Sequence, residues 1–435
     1  MTSSNHRRDD LAIVAGVRTP FCKVQGALQG AAAADLAAFA IRELLDRTGL
    51  DPALVDEVIL GCAGAEAREA NVARVAALRA GLPLATPAVT VMRNCASGME
   101  SVIAARTRLQ AGRGEVFVVG GTESMSNFPL IMGPQLVKFF TRLGKARSAP
   151  QRLQALLAFR PKALKPRIAI VEGLTDPTTG LMMGNTAELV ARRFGITREE
   201  MDDYALQSHL RATAAQDKGV FADEIAPYVP PPRYAAAVTA DDGVRREQTI
   251  DALQKLRPVF DRKNGDVTVG NSCQVTDGAV ALLCMAESRA EALDLHPLAV
   301  VRGDATAALS PAVMGLGPVH AAPRALAEAG IGLADVDRVE LNEAFAAQVL
   351  GCQRAFASAD YCKRELGLDA PLGELDPGKL NVFGGAIALG HPIAATGARL
   401  VLTLAHQLRR DGLRYGLATL CIGGGQGQAV VLEAA

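Results

Sequence analysis

The sequence predicts an α/β protein made of two similar halves, with a segment of different character between them. Three observations predict it. Short apolar runs that read as buried strands alternate with stretches of helical spacing, the pattern of βαβ units around mostly parallel sheets. Nearly half of the 435 residues are apolar, mostly Ala, Val and Leu with no Trp, which favours tightly packed layers over aromatic-filled sandwiches. The order of strands, helices and turns in the first part also recurs in the second.

In the first half, Leu11–Ala15, Glu57–Leu60, Val89–Val91 and Val116–Val119 are the strand candidates, and Asp35–Arg47 and Ser97–Ala111 have helical spacing. The second half repeats the scheme with strands at Leu298–Arg302, Arg338–Leu341 and Gly416–Leu420, and a long helix over Pro392–Arg409. Val55-Asp-Glu-Val58 precedes Gly61-Cys62 much as Val336-Asp-Arg-Val339 precedes Asn342-Glu343. Cys95 precedes a helix and then a strand ending at Gly120-Gly121; His391 precedes a helix and then a strand ending at Cys421. If the halves are copies, Cys95 and His391 occupy equivalent helix starts and meet across a pseudo-twofold axis.

Length and charge bound the function. A chain of 435 residues suits two or three units. Lys plus Arg equals Asp plus Glu, 46 of each, so bulk charge points to no nucleic-acid or membrane partner. Met1–Asp10 has no apolar core for an export signal, and the most apolar stretch, Ala31–Ile41, is short and interrupted by Asp35. The eight cysteines show no paired spacing and no C-x-x-C, which argues against zinc and thioredoxin-type sites. A reduced cytoplasmic location is the expectation.

Three segments carry the chemistry. Asn94-Cys95-Ala-Ser-Gly98 makes a sharp strand-to-helix turn, where the helix N-terminus favours a thiolate and the Cys95 N–H can face an oxyanion. Gly390-His391-Pro392 places an imidazole just before a helix, fit to take a thiol proton and then hydrogen-bond a carbonyl. Cys421 ends a strand and is followed by Gly423, Gly424 and Gly425, a turn where backbone can approach a ligand and the Gly423 N–H can serve an oxyanion hole. A Cys421 thiol tuned toward neutrality could move a proton at carbon. A nucleophile, a base and a second proton carrier suit acyl transfer through a thioester. A fourth element, Leu341-Asn342-Glu343-Ala-Phe345, follows a strand; Asn342 can hold a water or carbonyl, and Glu343 can cap a helix or orient His391.

Between the halves, Met125–Val171 holds nine Lys or Arg residues, among them Arg142, Lys145 and Arg147, and no acidic residue, with Leu153, Leu156, Leu157 and Phe159 interleaved. The readings are a solvated amphipathic excursion, an anionic membrane surface, a partner subunit or a phosphate-bearing ligand.

Taken together, these motifs resemble the thiolase family. The Cys95 block, Asn342–Phe345, Gly390-His391-Pro392 and Cys421-x-Gly423 occur in that family's order and spacing. So do Val17-Arg-Thr-Pro-Phe21, Gly120–Ser124, Leu256-Arg-Pro258, Gly270-Asn271 through Asp277-Gly-Ala279, and Met314–Pro318, so that the resemblance spans nearly the whole chain. It implies a duplicated five-layer α/β/α/β/α fold with an inserted loop domain. The N-terminal half would be 1–126, completed by about 267–292, the loop domain 127–266 and the C-terminal half 293–435. It also implies reversible conversion of 3-ketoacyl-CoA and CoA to acyl-CoA and acetyl-CoA. Cys95 would carry the acyl group, His391 activate it and Cys421 transfer the proton. Asn342 would hold a water that forms one oxyanion hole with His391, and the N–H groups of Cys95 and Gly423 would form the other. Arg245, Cys273, Met183 and Met314 are the expected substrate or CoA contacts. CoA and acyl-CoA enter as substrates, with no tightly bound cofactor and no metal implied. A homodimer or dimer of dimers is expected, with an enoyl-CoA hydratase/3-hydroxyacyl-CoA dehydrogenase subunit as a further partner.

Three departures from the compact short-chain members bear on specificity. Met182 stands where those carry a histidine before Met-Gly, Cys273 stands where a CoA-contacting serine is often found, and Met125–Val171 is longer and more basic. The last resembles the thiolase subunits of fatty-acid oxidation complexes and favours longer acyl chains. The rival readings are a β-ketoacyl synthase-like condensing enzyme, which relies on paired histidines or His/Asn, and an inactive scaffold or lipid-binding relative.

Overall fold

The computed structural model describes residues 9–435; most of the Met1–Asp10 stretch considered above, residues 1–8, lies outside the described residues. Among the described residues the main sheet has ten strands, nine of them in one continuous order: β1 (Leu11–Arg18), β2 (Glu57–Gly61), β3 (Ala88–Val91), β4 (Val116–Glu123), β5 (Thr276–Ala286), β6 (Ala299–Ala308), β7 (Arg338–Leu341), β8 (Tyr415–Ile422) and β9 (Gln426–Ala434). Their order is β7-β8-β9-β6-β1-β5-β4-β2-β3, with Cys22–Lys23 pairing alongside β5.

The duplication is visible in this order. The first half runs β3-β2-β4-β5-β1 and the second β7-β8-β9-β6. Leu380 bridges Val339 of β7 in parallel, taking the place beside β7 that β3 takes beside β2. The halves meet where Leu11, Ala12 and Ile13 of β1 pair antiparallel with Val301, Val300 and Ala299 of β6, as a local twofold requires.

The expectation of mostly parallel sheets needs correction. β2–β3, β2–β4 and β7–β8 are parallel, but β5 and β9 pair antiparallel with both of their neighbours. Neither strand is among the candidates that apolar runs mark in the sequence. β9 follows β8 after three residues, and so short a link permits only an antiparallel return. β4 also continues past Val119, through Gly120 and Gly121, to Glu123.

Among the described residues ten helices of nine or more residues surround the sheet or build the insert: α1 (Ala33–Thr48), α2 (Val72–Ala80), α3 (Ser97–Gln110), α4 (Pro134–Lys145), α5 (Ala149–Leu157), α6 (Met183–Phe194), α7 (Arg198–Asp217), α8 (Gly317–Ala329), α9 (Ala346–Ala357) and α10 (Ile393–Asp411). Strand alternation sorts them into layers. Val58 and Leu60 face α1 and α2, sharing a core with Leu36, Ile41 and Leu44. Ile59 faces the opposite way, into a core with Met99 and Val102 of α3, Leu400 and Leu404 of α10, and Leu420 and Val430 of the other half. On the far side Leu417 and Val431 pack with Leu326 of α8 and Phe356 of α9. The result is five layers, with α3 and α10 in the middle.

Two glycines let those central helices cross closely. A Cβ at Gly98 would lie 2.6 Å from the Ala394 carbonyl oxygen, and one at Gly397 2.6 Å from the Met99 nitrogen. Without side chains there, the helix starts that follow Cys95 and His391 converge.

The insert has two parts. α6 and α7 pack over the site; Ala187, Ala191, Met201 and Ala205 share a core with Phe345 and Cys421. The basic part carries a two-stranded ribbon, Leu130–Ile131 against Arg167–Ile168, and the helices α4 and α5, whose Phe140, Leu153, Leu156 and Leu157 are exposed. Among the described residues no helix is long and apolar enough to cross a membrane.

Candidate active site

Cys95 is presented by a strained turn. After β3, Asn94 adopts φ +46°, a left-handed conformation that Asn tolerates better than most residues. Its Nδ2 donates to the Gly423 carbonyl at 2.9 Å, and its own carbonyl accepts from Ser97 Oγ at 2.7 Å as α3 begins. The turn that holds Cys95 is thereby tied to the glycine turn after Cys421. The N–H groups of Gly423 and of Cys95 itself favour the thiolate, but burial outweighs them and pushes the thiol up. The expected thiolate-favouring shift is therefore corrected: in these dry surroundings Cys95 rests as a thiol and needs a base.

His391 is the candidate. Its backbone N–H donates to the Gln274 carbonyl at 3.0 Å. Its Nδ1 lies 2.6 Å from Thr396 Oγ1, and that hydroxyl lies 3.1 Å from the Pro392 carbonyl, one helical turn back. A carbonyl only accepts, so a Thr396 proton given to Pro392 leaves the hydroxyl to accept from Nδ1–H. This assignment gives Nε2 the free lone pair. Nε2 is buried without a partner in the protein, and burial, then the Arg399 charge, holds the imidazole down to about 4. At neutral pH His391 is a neutral base.

Cys421 lies near the end of β8, fully buried. Burial first, then the nearby Cys95, Cys352 and Cys273 thiols, push it well above the usual thiol range. The expected tuning toward neutrality is thus corrected; the resting form is a thiol able to donate a proton. Asn342 follows β7, with its backbone N–H donating to Thr419 O at 3.0 Å. Both of its side-chain amide atoms are buried and have no partner in the protein. A buried amide left open in this way fits a water or a ligand carbonyl.

Glu343 does not cap α9, but its Oε2 does cap a helix, accepting from the Ile387 N–H in the first turn of the short helix Ala386–Leu389. α9 begins at Ala346, and Phe345 precedes it with no side-chain cap. The carboxylate instead accepts from Tyr204 Oη at 3.0 Å, Ser208 Oγ at 2.6 Å, Asn381 Nδ2 at 3.1 Å and Ile387 N at 3.2 Å. It fastens α7 to the loop that leads to His391.

Cys95, His391, Cys421, Cys273, Met183 and Met314 line one cavity of about 140 Å³. Met125, Leu174, Met182, Phe260, Phe345 and Ile393 complete an apolar wall. Burial pushes the Cys273 thiol up to about 12. Arg245 is not part of this wall: it is exposed, and its backbone N–H donates to His209 Nδ1 at 3.2 Å. Gly423 lies close by, with Met183 Sδ 3.2 Å from where a Cβ would stand. Among the described residues no group of three or more His, Cys, Asp or Glu side chains is arranged to hold a metal ion.

Sequence reasoning missed Thr396 and Glu123. A hydroxyl in the first turn of the helix after His391 was the available signal for Thr396. Glu123 accepts from the N–H groups of Ala63, Gly64 and Ala394 at 3.1, 2.9 and 3.2 Å, clamping the start of α10 to the first half. An acid ending an apolar strand carries no such signal in sequence.

A duplicated five-layer fold that brings a thiol, an unpaired imidazole nitrogen and a second thiol to one apolar cavity defines a class of acyl-transferring proteins. Residues 11–288 match the thiolase N-terminal domain and residues 295–434 the thiolase C-terminal domain. The chain is 42% identical over 429 residues to a 3-ketoacyl-CoA thiolase of Pectobacterium atrosepticum, covering 98% of this chain and 97% of that one. It is 41% identical over 427 residues to one of Serratia proteamaculans, with the same coverage. Among solved structures, the acetyl-CoA acetyltransferase of Bacillus anthracis superposes with a TM-score of 0.85 at 37% identity, covering 98% of this chain and 99% of that one. Human mitochondrial 3-ketoacyl-CoA thiolase in complex with CoA gives 0.84 at 37%, covering 98% of each. The chain belongs to the thiolase family.

Proposed function

We infer that the protein is an acetyl-CoA C-acyltransferase that converts a 3-ketoacyl-CoA and CoA to an acyl-CoA shortened by two carbons and acetyl-CoA, reversibly. The observation that carries this reading is the meeting of Cys95, His391 and Cys421 on one cavity, with His391 Nε2 unpaired.

His391 Nε2 takes the Cys95 proton, and Sγ attacks the 3-keto carbon. Its oxygen gathers charge between the N–H groups of Cys95 and Gly423. The C2–C3 bond then breaks, and its electron pair passes to the acetyl-CoA enolate. The enolate oxygen is held by His391 Nε2–H and by a water on Asn342. The Cys421 thiol protonates C2 and acetyl-CoA leaves. An incoming CoA gives its thiol proton to the Cys421 thiolate and attacks the acyl carbon. Cys95 departs and recovers its proton from His391. Condensation is the reverse.

An apolar wall with Met182 in it supports acyl chains longer than acetoacetyl and a degradative role in fatty-acid β-oxidation. The remaining readings are a cytoplasmic homodimer or dimer of dimers, and the division into 1–126 with about 267–292, 127–266 and 293–435. Arg142 and Lys145 flank a shallow cleft between α4 and α5, beside exposed leucines. These helices are read as the docking surface for a hydratase/dehydrogenase subunit, with an anionic membrane as the competing occupant. Arg245 is kept as a CoA contact outside the cavity.

The test is CoA-dependent cleavage of acetoacetyl-CoA and longer 3-ketoacyl-CoA thioesters. Loss of enolate absorbance that requires CoA supports the reading; a condensing enzyme or an inactive scaffold leaves the absorbance unchanged.

A further inference from the structure

The oxyanion site of the proposed mechanism is split between two distant parts of the chain. One N–H belongs to Cys95 and the other to Gly423, and both favour a Cys95 thiolate. Gly423 cannot hold such a position by itself. It is the first residue after β8, beyond the ladder pair of Ile422 with Gln426. Gly424 and Gly425 follow at φ +93° and +79°, and a run of glycines leaves its peptide planes free to turn.

Two residues just before Cys95 hold this turn from outside. Asn94 Nδ2 donates to the Gly423 carbonyl at 2.9 Å. Arg93 Nη1 donates to Gln426 Oε1 at 3.0 Å, and its Nε and Nη2 are fixed on Glu100 at 2.7 and 3.1 Å. At the far end of the turn the Leu309 N–H donates to the Gly425 carbonyl at 2.8 Å. The Asn94 backbone meanwhile aims the other donor. The Cys95 N–H lies in the same planar peptide unit as the Asn94 carbonyl. That carbonyl accepts from Ser97 Oγ at 2.7 Å, and the same Oγ accepts from the Arg93 N–H at 2.9 Å. One residue is therefore tied to both N–H groups, to one through its backbone and to the other through its side chain. Asn meets both demands of the position, a left-handed φ of +46° and a donor on a short side chain. Asn94 is not part of the cavity wall, so its influence on the reaction runs through these two N–H groups.

We propose that Asn94 is a positioning residue for acyl transfer: its backbone aims the Cys95 N–H, its amide pins the Gly423 turn, and the two N–H groups are thereby presented to one developing oxyanion. This rests on the acyltransferase reading and deepens it by naming what sets the spacing of the oxyanion donors.

The test sets two reactions of the Cys95 sulfur side by side in the full-length protein, both read on the Cys95 peptide by mass spectrometry. Acetylation by acetyl-CoA passes through an oxyanion; alkylation by iodoacetamide is a direct displacement that forms none. Asn94→Gly removes the amide and keeps the left-handed turn free of strain, so folding is not at stake. It should slow acetylation about 10- to 100-fold, part of the roughly 10²- to 10³-fold cost of losing a whole donor, and alkylation by no more than about threefold. Asn94→Asp keeps the shape without a donor and should slow acetylation at least as much. Acetylation at the wild-type rate in both variants overturns the proposal, since the glycine turn then holds itself. So does an equal slowing of acetylation and alkylation in Asn94→Gly, which would mean that the side chain supports the Cys95 turn as a whole. Those two results defeat this inference alone. Wild-type protein that is alkylated at Cys95 but never acetylated there defeats the acyltransferase reading beneath it.

Discussion

His391 Nδ1 and Thr396 Oγ1 lie 2.6 Å apart inside one turn at the start of α10, and this contact decides which imidazole nitrogen keeps a free lone pair. The Pro392 carbonyl, 3.1 Å from the same hydroxyl, turns Thr396 into an acceptor and leaves Nε2 as the nitrogen able to act as a base.

Thr396→Val keeps the volume and removes the acceptor. It should lower kcat by about 10- to 100-fold, as loss of an orienting partner behind a reactive histidine does. KM should change little, and Thr396→Ser should restore most of the rate. A kcat equal to wild type in the valine variant would show that the tautomer is set some other way.

The pH dependence follows from burial. His391 and His209 are both held down to about 4, by burial first, against 6.5 in the unfolded chain. Their contribution to stability is complete above 6.5 and drains as pH falls from 6.5 to 4. Glu123 and Glu340, raised by burial to about 7, act in the opposite sense: their contribution is complete below 4.5 and is lost as pH rises from 4.5 to 7. His209→Asn should therefore shrink the acid-side loss of stability by about 2 to 3 kcal/mol in denaturant titrations. The acid limb of kcat/KM should fall near pH 4. An acid limb at 6.5 would mean that His391 is hydrated in solution.

Cys421→Ser should separate the half-reactions. A hydroxyl is far less acidic than a thiol, so protonation at C2 slows while acylation of Cys95 continues. Turnover should drop about 10²- to 10⁴-fold. Wild-type turnover would remove Cys421 from the mechanism.

Replacing Arg142, Lys145 and Arg147 by Glu should abolish co-sedimentation with a hydratase/dehydrogenase subunit at low salt and spare acetoacetyl-CoA cleavage. The wild-type contact should weaken as salt rises, because the Debye length falls from about 10 Å at 0.1 M to about 3 Å at 1 M. Equal loss of cleavage would mean that these helices shape the active site.

How much of this was legible in the sequence varied with the physics behind each part. The turns that bring Cys95, His391 and Cys421 to one cavity were readable because a side chain of this kind on a small-residue turn leaves a local mark. The central helices were readable from their spacing. β5 and β9 were not, because Thr276–Ala286 is buried along its whole length and so shows no alternation to distinguish it from a buried helix. The thiol acidities were misjudged because a helix N-terminus is a local feature, whereas desolvation depends on what the rest of the chain packs around it. Thr396 and Glu123 matter only through partners that the fold supplies.

The central claim is that Cys95 carries the acyl group. Brief incubation with acetyl-CoA, followed by peptide mass spectrometry, should place one acetyl group on the peptide containing Cys95 and none on that containing Cys421. Acetyl found on Cys421 or Cys273, with Cys95 unmodified, would contradict the assignment.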